Sequence, residues 1–206
     1  EGRGREALRL SAMGSAGAVA LAVPLAVPVT RVMRVAYPTL RAHISFVLGV
    51  AALALVLTEN GVRGKLGGAL SVGASGGLGA VALDLPTDGL VGGGNVLAPI
   101  FAGLFGVPVL LDALTGSGVP RQDSPVVTTP PAAVGTFALV GTLAGAVVGY
   151  LPGVSSAVAA TLALGVVPAA GARGFLVTTS GVNTANTVFA LFALVALGTP
   201  RTGVLV

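Results

Sequence analysis

Two long stretches of this chain carry no formal charge, one between Asp123 and Arg173 and one between Arg173 and Arg201. Both are built mostly of Val, Ala, Leu and Gly. A soluble domain carries charge at about a quarter of its positions, whereas here hydrophobic residues make up 54% and charged residues 9% of 206. So little polar surface cannot enclose so much apolar chain in water. An integral membrane protein is expected, and the fold class that follows is all-α, a polytopic transmembrane helical bundle.

The same numbers remove several other classes. Cysteine is absent, which excludes a disulfide framework and a thiolate metal site. The net charge of +4 comes from scattered arginines; a nucleic-acid-binding face needs clustered Lys and Arg with accessible aromatics, and neither occurs. The string "VGASGGLGA" at 72–80 is similar to the glycine-rich nucleotide turn of short-chain dehydrogenases. The preceding "KLGGAL" is a poor strand and no Tyr-x-x-x-Lys follows, so a glycine face for close helix packing is the better account. No Ser/His/Asp set or carboxylate pair lies within the apolar spans, and no enzymatic activity, cofactor or metal is expected. His43, the only histidine, sits at a membrane edge, the place of an interfacial residue.

In chain order, residues 1–115 hold about four apolar spans. The first, about Ala12 to Thr30, follows three arginines and is punctuated by Pro24 and Pro28; Arg31, Arg34 and Arg41 then mark a loop. A second span runs from His43 to Thr58 and, after the turn "ENGVRGK", a third from Leu66 to Leu85. Asp84 and Asp88 flank a surface turn. The fourth stretch, Leu90 to Leu114, is interrupted by "GGGN" and Pro99, with Asp112 near its end at the interface. Residues 116–131 form a polar connector rich in Pro, Ser and Thr. Residues 132–206 make the last part, where Gly141, Gly145 and Gly149 recur every four residues and define one close-packing face. Tyr37, Tyr150 and the arginines take the role of interfacial anchors, as Trp is absent. Positive residues favour a cytoplasmic start, with Arg3, Arg5, Arg9, Arg63, Lys65, Arg121 and Arg173 inside, while Arg31, Arg34 and Arg41 argue the other way.

Two polar islands interrupt the uncharged part. In "YLPGVSSAVAA", Pro152 cannot donate a backbone hydrogen bond, Gly153 frees the chain, and Ser155 or Ser156 can cap a new apolar run. The expected product is a helix broken near mid-bilayer whose second piece, Val154 to about Val167, is too short for an easy crossing of about twenty residues and is either a re-entrant half-helix or one piece of a discontinuous span. Its free N–H groups and positive dipole end suit an anion such as a carboxylate. In "TTSGVNTANTVFALFAL", Ser180, Asn183, Thr184 and Thr187 lie at spacings of three and four, so one polar stripe is expected to face inward. The competing account makes these groups interhelical hydrogen-bond glue and the Pro-Gly pair a plain turn.

The strings "GYLPGVSSAVAA" and "SGVNTANTVFALFALVALGTPRTG", with "LAPIFAGLFGVPVLLDAL" upstream, resemble the large permease subunit of the tripartite tricarboxylate transporters, most closely an archaeal-type branch. The resemblance extends over nearly the whole chain in order of segments. It implies a secondary transporter of small di- or tricarboxylates in a prokaryotic cell membrane, built from two inverted repeats that each supply a Pro-Gly hairpin to a central site. It also implies a small membrane subunit and an extracytoplasmic solute-binding protein as partners. Carried over position by position, it supports Pro152, Gly153, Ser155, Ser156, Ser180, Asn183, Thr184 and Asn186 as substrate-binding residues, with Thr187 added from the stripe. Only one Pro-Gly hairpin occurs here, so the chain is expected to be a fragment lacking the other repeat's counterpart. The alternative from a different class is a membrane scaffold or assembly subunit whose glycine faces serve helix association.

Overall fold

The computed structural model describes residues 2–83, 97–116, 118, 121–122, 127–151, 153–167 and 171–198. Regular structure among these residues is entirely helical: α1 (Gly4–Ala42), α2 (Ile44–Thr58), α3 (Gly61–Leu83), α4 (Leu97–Phe101), a π-helical turn (Ala102–Gly106), α5 (Val107–Thr115), α6 (Pro131–Tyr150), α7 (Ser156–Val166) and α8 (Gly171–Leu197). Two compact units result, one formed by Glu1–Thr58 with Gln122–Val206 and the other by Glu59–Arg121. Three of the helices, α1, α6 and α8, are long and apolar enough to cross a membrane.

In the first unit these three helices pack side by side, and their pairings fix direction. Glu6 meets Arg173, Ser11 meets Ser180 and Ser15 meets Thr184, at sequence separations of 167, 169 and 169. A constant offset means that α1 and α8 run parallel. Gly141, Gly145 and Gly149 of α6 face Thr178, Val182 and Phe189 in the same order, so α6 is parallel to α8 as well.

Parallel neighbours joined in sequence need a return path. Tyr150 ends α6 beside Phe189, whereas α8 starts at Gly171, so residues 151–170 must carry the chain back along roughly 27 Å of α8 at 1.5 Å per residue. Helix α7, 11 residues long, supplies about 16 Å of that. The residues on either side of it complete the path. The short helix is therefore one piece of a discontinuous return, antiparallel to α6 and α8.

The glycine face expected from the four-residue spacing is where the helices meet. A Cβ on Gly141 or Gly145 would stand 2.5 Å from the carbonyl oxygen of Thr178 or Val182, and one on Gly149 would stand 2.7 Å from the Phe189 Cβ. Only glycine permits this approach. Lipid tails are as apolar as the side chains, so contact between helices at this range provides much of the association energy. Ala18, Ala22, Ala146, Ala185, Phe189 and Ala193 continue the same dry seam.

Several expectations are corrected. Arg31, Arg34 and Arg41 do not mark a loop: α1 continues for 39 residues with Pro24, Pro28 and Pro38 inside it. Each proline removes one helical hydrogen bond, but proline is tolerated in a membrane helix whose flanking turns are held by neighbours. Ala18, Ala22 and Met33, on both sides of Pro24 and Pro28, lie in the shared core. The chain breaks instead at His43, whose Nδ1 lies 2.9 Å from the Thr39 carbonyl oxygen. Tyr150 is not an interfacial anchor. It is 1% exposed, its ring lies 6.3 Å from that of Phe189, and its hydroxyl is 2.6 Å from Thr30 Oγ1.

In the second unit, α3 carries the "VGASGGLGA" string as helix, in keeping with the rejection of a nucleotide turn. The close packing expected of its glycines has no counterpart within the described residues of this unit, since a Cβ on Gly73, Gly76, Gly77 or Gly79 would meet nothing within 4 Å. The π-helical turn precedes Pro108, which has no N–H to continue an α-helical ladder. Asp112 is exposed near the end of α5. Asp84 and Asp88 lie outside the described residues.

Candidate functional site

The break between α6 and α7 follows from its residues. Leu151 leaves the helix with φ −95° and ψ 115°, and Gly153 adopts φ +83°, a conformation nearly reserved for glycine. Pro152 lies outside the described residues. Ser155 is extended and caps α7, its Oγ accepting from the Val158 N–H at 3.3 Å. Of the two serines open to that role, Ser155 takes it. The amides of Ser156 and Ala157 then start the helix without an intrahelical acceptor.

Burial gives the break two sides. Leu151 and Val154 are buried with Val148, Ala159, Ala160 and Val182. Gly153 and Ser155 are exposed, and Ser156 is half-buried. A Cβ on Gly153 would stand 3.3 Å from Leu48 Cδ1 of α2, so α2 passes close to the turn. Helix α6 is 20 residues long and is itself a candidate full span by length and composition, and Leu151–Ser155 follow its end. Ala159 and Ala160 of α7 share a buried cluster with Val148 and Leu151 and with Val182 of α8.

The polar row of α8 does not face one way. Ser180 Oγ is 2.7 Å from Ser11 Oγ, and Thr184 Oγ1 donates to Ser15 Oγ at 3.0 Å; both therefore join α8 to α1. Asn183 and Thr187 are exposed, and the Thr187 hydroxyl donates back to the Asn183 carbonyl at 3.1 Å. Asn186 is half-buried, and its backbone approaches Gly145 and Gly149 in the last two turns of α6 before the break. The expectation of a single inward stripe is thus corrected: the helical pitch distributes these residues over two faces. Ser180 and Thr184 are held by α1, Asn183 and Thr187 are joined by the hydrogen bond within α8, and Asn186 lies against α6.

Sequence reasoning missed the α1 partners, Ser11 and Ser15. Four residues apart and flanking Gly14, which lies against the Val177 carbonyl, they carried the signal of a small, polar helix face. It also missed Glu6, which is buried and accepts from Arg173 Nε at 2.7 Å.

Parallel apolar helices in glycine-mediated contact, with a short helix on the path that returns the chain from one to the next, define a helical membrane protein. This chain belongs to the tripartite tricarboxylate transporter TctA family, whose sequence model matches residues 1–206. No curated protein and no solved structure matches it. The family is one of transporters rather than enzymes, and membership makes the chain a membrane component of a tricarboxylate transporter.

Proposed function

We propose that the chain forms part of a multi-pass secondary permease for small di- or tricarboxylates in a prokaryotic plasma membrane, and that α7 receives the substrate carboxylate. In this reading the open amides of Ser156 and Ala157, the hydroxyls of Ser155 and Ser156, and the residues Pro152 and Gly153 receive the anion, while Asn183, Asn186 and Thr187 orient it. Ser180 and Thr184 act one step back, holding α8 against α1. The supporting observation is the discontinuous return. A helix N-terminus left open by a break between helices is a recurring way to bind an anion within a membrane transporter. "Tripartite" in the family's name supports two further components, a small membrane subunit and an extracytoplasmic solute-binding protein.

Substitutions at the cap separate binding from folding. Ser155→Gly removes the hydroxyl at a cost to the cap of only a few tenths of a kcal/mol, and Ser155→Asp is as good a cap as serine. The aspartate, however, puts a negative charge where the substrate's must sit, a repulsion of about 4 kcal/mol at ~4 Å and an effective dielectric near 20. Uptake of labelled di- and tricarboxylates by the full-length protein should fall at least a hundredfold with Ser155→Asp while expression and folding persist. Wild-type uptake by that variant would overturn the reading.

The hydrogen bonds that Ser180 and Thr184 make to α1 favour a second reading, a scaffold subunit in which polar groups serve helix association. It makes the start of α7 inaccessible to solute, so single cysteines at Ser156 and Asn183 would resist a water-soluble, membrane-impermeant thiol reagent.

A further inference from the structure

The seam between α1 and α8 opens at both ends into a pocket rimmed by arginine, and the two pockets differ in charge balance. At the N-terminal end, a cavity of about 340 Å³ is lined by Arg3, Glu6 and Arg173 among others, but Glu6 already neutralises Arg173 at 2.7 Å. At the other end, a groove of about 370 Å³ has Thr30, Arg31 and Arg34 at its rim and Val27, Phe192 and Val195 along its wall. No acidic side chain among the described residues pairs with Arg31 or Arg34. The Thr30 hydroxyl is already engaged by Tyr150, which leaves the two guanidiniums as the groove's unanswered polar groups.

Depth completes the picture. The stretch Leu10–Thr30 of α1 is uncharged and bounded by Arg9 and Arg31, and as helix it measures about 31 Å, the thickness of a bilayer's hydrocarbon core. Arg31 therefore stands at the headgroup level and Arg34 about one turn farther out, while Val27 and the facing α8 side chains point the groove into the acyl region. A cationic rim above an apolar wall at that depth is complementary to one kind of molecule, an anionic phospholipid with its phosphate on the arginines and a chain along the seam.

We propose that this groove is a binding site for an anionic phospholipid. The site is distinct from the α7 start and stands whether or not the carboxylate reading holds; it requires only that α1 crosses the bilayer.

The test is native mass spectrometry of the full-length protein in micelles doped with phosphatidylglycerol or phosphatidylcholine, read as retained lipid adducts. Phosphatidylglycerol should be retained at least tenfold better. Arg31→Gln with Arg34→Gln should weaken that retention about 25-fold, from roughly a factor of five for each cationic side chain at an anionic surface. The paired Arg→Lys variant should keep most of the preference. Val195→Trp, at a position 86% exposed, should fill the groove and remove the adduct with the charge intact. Equal retention of the two lipids would overturn the proposal, as would a preference that survives both the Gln pair and the Trp. Inorganic phosphate stabilising the protein against heat as well as the lipid does would also overturn it, since the apolar wall would then contribute nothing.

Discussion

Adding one methyl group to α6 should act with opposite sign at two positions ten residues apart. At Gly145 a Cβ would lie 2.5 Å from the Val182 carbonyl oxygen, 2.8 Å from the Ala185 Cβ and 3.0 Å from the Asn186 nitrogen. Two of the three obstacles are backbone atoms that no rotamer change can move. An ordinary C···O approach is about 3.3 Å, so α6 and α8 must separate by roughly 0.8 Å. A gap of that size forfeits a quarter to a half of each dispersion contact it affects, and the expected cost of Gly145→Ala lies in the overpacking range of about 1–3 kcal/mol. At Gly135, on the exposed side of the same helix, a Cβ meets nothing within 4 Å. There the better helix propensity of alanine should be felt alone and stabilise by about 0.5–1 kcal/mol. Equilibrium unfolding in mixed dodecyl sulfate and maltoside micelles measures both. Equal effects of the two substitutions, within about 0.5 kcal/mol, would refute the claim that the Gly145 backbone approach holds the seam, because propensity is common to both sites and packing is not.

Two further outcomes follow from the α1 contacts. Glu6 is buried while the side chain of Arg173 is 40% exposed, so the pair is partly screened, and a double-mutant cycle with Glu6→Gln and Arg173→Gln should give a coupling of about 1 kcal/mol that shrinks in high salt; no coupling at low salt would mean the pair contributes nothing. Ser15→Ala with Thr184→Val should couple by about 0.6 kcal/mol, the usual worth of an interhelical hydrogen bond in a membrane, and should leave the apparent KM for carboxylate unchanged, whereas a raised KM would make Thr184 a direct substrate ligand.

Local chemistry could be read from the sequence; pairing could not. The spacing of Gly141, Gly145 and Gly149 is a property of one helix, and it named the face that meets α8. The dihedral limits of Gly153 and the capping chemistry of Ser155 are equally local, and they located the break and the start of α7. What resisted reading was decided by a second helix. Pro24 and Pro28 looked like an end because the alanines that carry α1 through them are held by α6 and α8. Ser180 and Thr184 share spacing and chemistry with Asn183 and Thr187, and nothing in that stretch of chain states that Ser11 and Ser15 will meet the first pair and leave the second exposed. Tyr150 looked like an anchor for lack of any sign that Thr30 would receive its hydroxyl.

The parallel course of α1, α6 and α8 has an electrical consequence. Each helix carries about half an elementary charge of positive sign at its N-terminus and the opposite at its C-terminus, so three aligned helices polarise the bundle from end to end instead of cancelling in pairs. Glu6, in the first turn of α1, stands at the positive pole, and Arg31 and Arg34 stand beside the negative one. Helix α7 runs against this field, with its own positive end toward the pole where the other three are negative. An anion resting there would be held by the one dipole that opposes the rest.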